Sequence, residues 1–116
     1  MNNNQHLGKT GEKLSVDFLI GKGFKILNRN WRYKKAEIDI ILLDENILVL
    51  AEVKTRSTSA HGNPEEFISD KKLSLYLDAA EEYLKENKMD NEIRFDIVSI
   101  VCYSENPIIK YIKDAF

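Results

Sequence analysis

Residues 36–56 set ionisable side chains inside two otherwise apolar runs, and that pattern narrows the folds open to the chain. Asp39 lies between Ile38 and Ile40, while Glu52 and Lys54 bracket Val53 at the end of the run Ile47, Leu48, Val49, Leu50. Runs of this kind read as buried strands, where a charge requires a partner. Side chains alternate along a strand, so Glu52 and Lys54 share a face. A two-residue turn at Glu45-Asn46 places Asp44 opposite Ile47, and counting back along both strands places Asp39 opposite Glu52. A four-residue loop centred on the same pair gives the same register. Directly opposed residues hold their Cβ atoms roughly 4.5–5.5 Å apart, where like charges repel. Two carboxylates set together with a lysine beside them are most simply explained by a bound divalent cation. A cross-strand salt bridge on a solvated face is the bland alternative.

With 116 residues, 43% hydrophobic and 31% charged, the chain has the size and make-up of one domain, residues 1–116, whose core needs neither metal nor disulfide. No apolar run reaches membrane-spanning length, so no membrane partner is expected. The N-terminus is polar and has no signal-peptide pattern, which leads us to expect a cytoplasmic location. The lone Cys102 lies in an apolar run and reads as a small buried hydrophobe.

A net charge of −2 argues at first against nucleic acid, but the charge is unevenly spread. Lys22, Lys25, Arg29, Arg32, Lys34 and Lys35 fall between Phe18 and Ala36 with no acid among them, interleaved with Trp31 and Tyr33. Such a segment suits a phosphate-contacting surface, although a solvated strand and turn with Trp31 in the core fits equally. Acids concentrate instead between Glu65 and Glu92, so a basic side and an acidic side are expected.

Leu7, Gly11, Leu14 and Phe18, broadened by Val16, Leu19 and Ile20, keep helical spacing until Gly21 and Gly23. Glu12 falls on the inward stripe of this helix, either as a first-turn acid facing the dipole or as a third carboxylate near the metal. Strands follow over 24–33, 37–43 and 47–55, then a polar loop carrying His61, which alone makes no zinc site. Asn63-Pro64 and Ser69 both look like helix starts. Leu73, Tyr76, Leu77, Ala80, Tyr83 and Leu84 predict a helix with an apolar stripe, Asp78, Glu81, Glu82 and Glu86 lying on its solvated side. Strands over 93–103 and 107–112 complete an α-β-β-β-α-β-β order, an α/β sandwich around a mixed sheet.

That order, with an acid on the second strand and Glu-x-Lys on the third, resembles the restriction-endonuclease-like PD-(D/E)XK nuclease superfamily. Gly11-Glu12, Gly23-Phe24, Asn30-Trp31-Arg32, Glu37-Ile38-Asp39, Glu52-Val53-Lys54-Thr55-Arg56, Arg94-Phe95-Asp96 and Ala115-Phe116 together resemble the YraN-like family of small bacterial proteins, which is related by fold to archaeal Holliday-junction resolvases. Ala36 stands where that family usually has glycine, and Ile38 where the superfamily's name has proline. The resemblance implies a metal-dependent endonuclease acting on DNA, branched or single-strand-containing, and leaving a 5′-phosphate. It implies that Asp39, Glu52 and the Val53 carbonyl bind Mg²⁺ or Mn²⁺, that Lys54 is catalytic, and that Glu12 supports a second metal or a water. Arg29, Arg32, Lys34, Lys35, Thr55 and Arg56 are then the candidate nucleic-acid contacts, and a homodimer is in keeping with the resolvase relatives. Asp96 matches a family motif, yet it equally suits a structural pair with Arg94. A non-catalytic nucleic-acid-binding or assembly module on the same fold is the competing reading.

Overall fold

The computed structural model describes residues 3–56, 69–103 and 106–115, with side chains described from residue 10 onward, except those of Cys102 and Tyr103. The loop with His61, the Asn63-Pro64 helix start and the Cys102 side chain fall outside these limits. Helix α1 (Asn3–Gly21) leads into strands β1 (Lys25–Tyr33), β2 (Ala36–Asp44) and β3 (Ile47–Arg56); helix α2 (Asp70–Glu86) then precedes β4 (Glu92–Tyr103) and β5 (Asn106–Ile112). The five strands form one sheet in the order β1-β2-β3-β4-β5, antiparallel except for the parallel β3–β4 pair, as the predicted α/β order requires. The edges are β1, interrupted between Ile26 and Asn28, and β5, which carries Pro107.

Each face of the sheet takes one helix. On one side Ile38, Ile41, Leu48, Leu50 and Phe95 pack with Tyr76, Ala79, Ala80 and Tyr83 of α2. On the other Ile40, Leu42, Val49, Ala51, Val98 and Ile100 pack with Leu19 of α1. β3 serves both layers through its alternation, so Glu52 continues the row of Leu48 and Leu50 toward α2. Ser69 caps α2, its side chain accepting a hydrogen bond from the Lys72 amide at 3.1 Å.

Several expectations need correction. Leu77 is 40% exposed and Ile20 is 55% exposed, while Ala79 and Ser15 are fully buried, so each helix buries most of the stripe read from spacing but differs at its margin. Ser15 is tolerated there because its hydroxyl donates to the Gly11 carbonyl at 2.8 Å. Because α1 begins at Asn3, Glu12 lies in mid-helix and has no first-turn dipole role. Trp31 is half-buried against the α2-side core and meets Tyr83 edge-on at 5.2 Å between ring centroids. Charge is not cleanly divided either: Lys34 and Tyr33 line one groove with Asp78, Glu81 and Glu82.

Candidate metal centre

The hairpin forms in the expected register, with Asp44 paired to Ile47 and Glu45 at φ +54° in the turn. Pairing runs back to Ile40 and Ala51, one step short of Asp39 and Glu52. Beyond that point a side chain replaces the ladder: the Val53 amide donates to Asp39 Oδ2 at 2.8 Å. The two acids thus sit where β2 and β3 cease to pair, and both line a cleft of about 250 Å³ with Lys35, Glu37, Lys72 and Tyr76.

Glu52 is 94% buried by its 6% exposure. Its Oε1 holds two ammonium groups, Lys54 Nζ at 3.3 Å and Lys72 Nζ in closer contact. Its Oε2 is buried and accepts no hydrogen bond from the described residues. A buried carboxylate oxygen left in that state loses its hydration without replacement. Burial, only partly offset by the Val53 amide, pushes the Asp39 carboxyl up to about 6, and the neighbouring Glu52, Glu12 and Glu37 add to the rise. The Tyr76 hydroxyl is raised as well, by burial first and then by Glu52 and Asp39.

These features fit a hard divalent cation, which takes oxygen ligands and rewards two carboxylates that otherwise repel. No group of three or more Asp, Glu, His or Cys among the described residues is placed to hold a metal ion, so Asp39 and Glu52 are the two candidate acids and water or backbone oxygen must supply the rest. Glu12 is engaged elsewhere: its Oε1 accepts from Arg29 at 3.0 Å and from Asn30 at 2.9 Å.

Of the candidate phosphate contacts, only Lys35 lines the cleft. Arg29 is paired with Glu12, and Arg32 lies 3.3 Å from Glu37. Lys34 rests over the Tyr33 ring at 5.3 Å from its centroid. Thr55 faces α1, where a methyl group on Gly11 would come within 2.1 Å of its Oγ1. That glycine lets the helix approach β3. Arg56, by alternation, shares the face of Glu52 and Lys54.

Sequence reasoning missed Lys72, Glu37 and Tyr76. One signal was available for Lys72: it stands one helical turn before Tyr76 and so extends the buried stripe with a cation. Asp96 proves to be a structural partner, gripped by Arg94 through two contacts of 2.9 Å.

No helix among the described residues is long and apolar enough to cross a membrane. The profile of a family described as "Uncharacterised protein family UPF0102" matches residues 11–100. A UPF0102 protein of Flavobacterium psychrophilum is 49% identical over 110 residues, spanning 95% of this chain and 92% of the relative. That of Christiangramia forsetii is 44% identical over 116 residues, covering 100% and 98%, and that of Dictyoglomus turgidum is 39% identical over 117 residues, covering 98% and 99%. Matched along essentially its whole length, the chain belongs to the uncharacterised protein family UPF0102, the YraN-like group that its motifs resemble.

Proposed function

We propose that the Asp39–Glu52 cleft is the active centre of a metal-dependent nuclease of the PD-(D/E)XK type, acting on DNA. The observation that carries this reading is the Glu52 carboxylate, buried beside Asp39 with one oxygen unsatisfied and a lysine two residues along the same strand. Asp39, Glu52 and the Val53 carbonyl would hold Mg²⁺ or Mn²⁺. A divalent cation bound there supplies Lewis acidity, neutralising phosphate charge and making water a better nucleophile.

The chain's own groups have separate tasks. Val53 fixes the Asp39 carboxylate through its amide, so that carboxylate is held in place before any ligand arrives. Lys54 cannot ligate a cation; its ammonium serves to stabilise the negative charge that grows on phosphorus-bound oxygen during attack. Lys35, on the cleft wall, offers a positive charge to a backbone phosphate, and Arg56 extends the same face. Branched or single-strand-containing DNA is the substrate class suggested by the resolvase resemblance.

Single-turnover cleavage of duplex, flap and four-way-junction DNAs with Mg²⁺ or Mn²⁺ tests the reading. We expect Lys54→Ala to slow cleavage on the order of 10²- to 10³-fold, with DNA affinity measured in Ca²⁺ nearly unchanged. Equal rates for wild type and variant overturn the role of Lys54. The second reading, a binding or assembly module without turnover, is favoured by one observation, that two lysines already neutralise Glu52. Wild-type protein that binds these DNAs and cuts none under either metal decides for it.

A further inference from the structure

Lys72 differs from Lys54 in ways that bear on how a cation could enter the site. Both ammonium groups touch Glu52 Oε1, but Lys72 lines the cleft with Asp39 and Glu52, whereas Lys54 does not. Lys72 comes from α2, across the sheet face from the strands that bear the acids. Its backbone is fixed, since its amide donates to the Ser69 cap at 3.1 Å. Its side chain is 32% exposed and ends on a flexible four-carbon stem. The ammonium also lies 5.6 Å from the centroid of the Tyr76 ring, an attraction that does not depend on Glu52.

We propose that Lys72 is a built-in competitor for the metal: in the metal-free protein its ammonium occupies the Glu52 carboxylate, and it must withdraw for a divalent cation to bind. This rests on the reading of Asp39 and Glu52 as the metal seat and adds a regulatory element to it. The fixed backbone and mobile tip allow withdrawal without unwinding the helix, and the Tyr76 ring retains the freed ammonium nearby. Glu52 illustrates why such a device is needed. A carboxylate this buried is costly without a counter-ion, and when the metal is absent Lys72 supplies positive charge to it from the cleft side, with Lys54 on its own strand. The price is weaker apparent metal affinity, because binding includes breaking the Lys72–Glu52 pair.

Mn²⁺ is titrated calorimetrically into wild type, Lys72→Met, Lys72→Gln and Glu52→Gln, with thermal unfolding of each recorded in chelator and in saturating Mn²⁺. Removing a positive charge in contact with a ligand carboxylate should tighten Mn²⁺ on the order of tenfold in both Lys72 variants, and Glu52→Gln should weaken it. Lys72→Met should melt below wild type in chelator, and the gap should close in Mn²⁺, because the metal then takes over the counter-ion role. A merely structural lysine would cost the same stability in both conditions. Wild type that binds Mn²⁺ while both Lys72 variants bind equally or more weakly overturns the competitor role and leaves the metal seat standing. Wild type that binds no Mn²⁺ overturns the metal seat itself, and the competitor with it. Should Lys72→Met fail to fold, Lys72→Gln keeps the stem and a polar tip and carries the same comparison.

Discussion

Two clusters of charge are buried in this sheet, and they are built on opposite plans. In the first, on the α1 face, Asp96 is 1% exposed and every interaction closes. Arg94 donates to both of its oxygens, the Tyr111 hydroxyl donates to Oδ2, and the Asp114 amide donates to Oδ1 at 2.9 Å. The remaining terminal nitrogen of Arg94 reaches Asp44 at 2.9 Å. Burial alone would lower the Arg94 pKa, but the bonds to Asp96 and Asp44 outweigh it and raise the value. In the second cluster, on the α2 face, two ammonium groups crowd one oxygen of Glu52 while the other has no described donor, and burial raises the Asp39 carboxyl above its ordinary range. The central acids, Asp96 and Glu52, are both buried; their satisfaction differs. A closed network suits a fixed framework, whereas an open one holds binding capacity in reserve.

The comparison breaks first, and by the largest effect, if the two acids respond alike to substitution. Asp96→Ala takes two of its three carboxylate contacts from the buried Arg94 guanidinium, leaving only Asp44, and should cost about 3–5 kcal/mol in urea unfolding. Glu52→Gln in chelator relieves repulsion and an unsatisfied carboxylate, so its change should stay within about 1 kcal/mol. Equal losses would make the Glu52 cluster a structural salt bridge.

A smaller effect separates them by pH. The native Asp39 carboxyl titrates about 6, above its ordinary 3.8, so the folded protein binds this proton more tightly than the unfolded chain. Its stabilising contribution is full below pH 3.8 and is lost as pH rises to about 6, and the shift corresponds to roughly 3 kcal/mol. Metal-free Asp39→Asn should therefore gain on wild type across that window and hold the gain at pH 7. A difference that stays flat between pH 4 and 7 removes the tension assigned to this cluster.

Ser69→Ala sharpens the contrast by loosening the first turn of α2, which carries Lys72. Loss of the cap should cost about 1 kcal/mol. Arg32→Ala provides the baseline: the Arg32 and Glu37 side chains are 75% and 48% exposed, and removing the pair should change stability by no more than about 0.5 kcal/mol.

The first half of the candidate site was legible because it is local. A short turn and strict alternation tie Asp39, Glu52 and Lys54 together within sixteen residues, and the structure keeps that register as far as Ile40 and Ala51. Lys72 was only partly legible: its spacing from Tyr76 puts it on the buried side of α2, but its contact with Glu52 depends on where the helix lies along the sheet. The Asp44–Arg94 contact lay further out of reach. It spans β2 and β4 across β3, and strand order in a sheet with a parallel crossover is a property of tertiary packing rather than of any one segment.

The two edges of the sheet carry a consequence for self-association. β1 is broken between Ile26 and Asn28, holds Asn30 at φ +53°, and exposes Lys25, Arg29 and Arg32. β5 contains Pro107, which has no amide hydrogen to donate, and exposes Lys110. Neither margin is a flat template for another strand, so growth of the sheet from molecule to molecule is opposed at both ends. Adding a strand at either edge is therefore the disfavoured way for a second folded copy to extend this sheet.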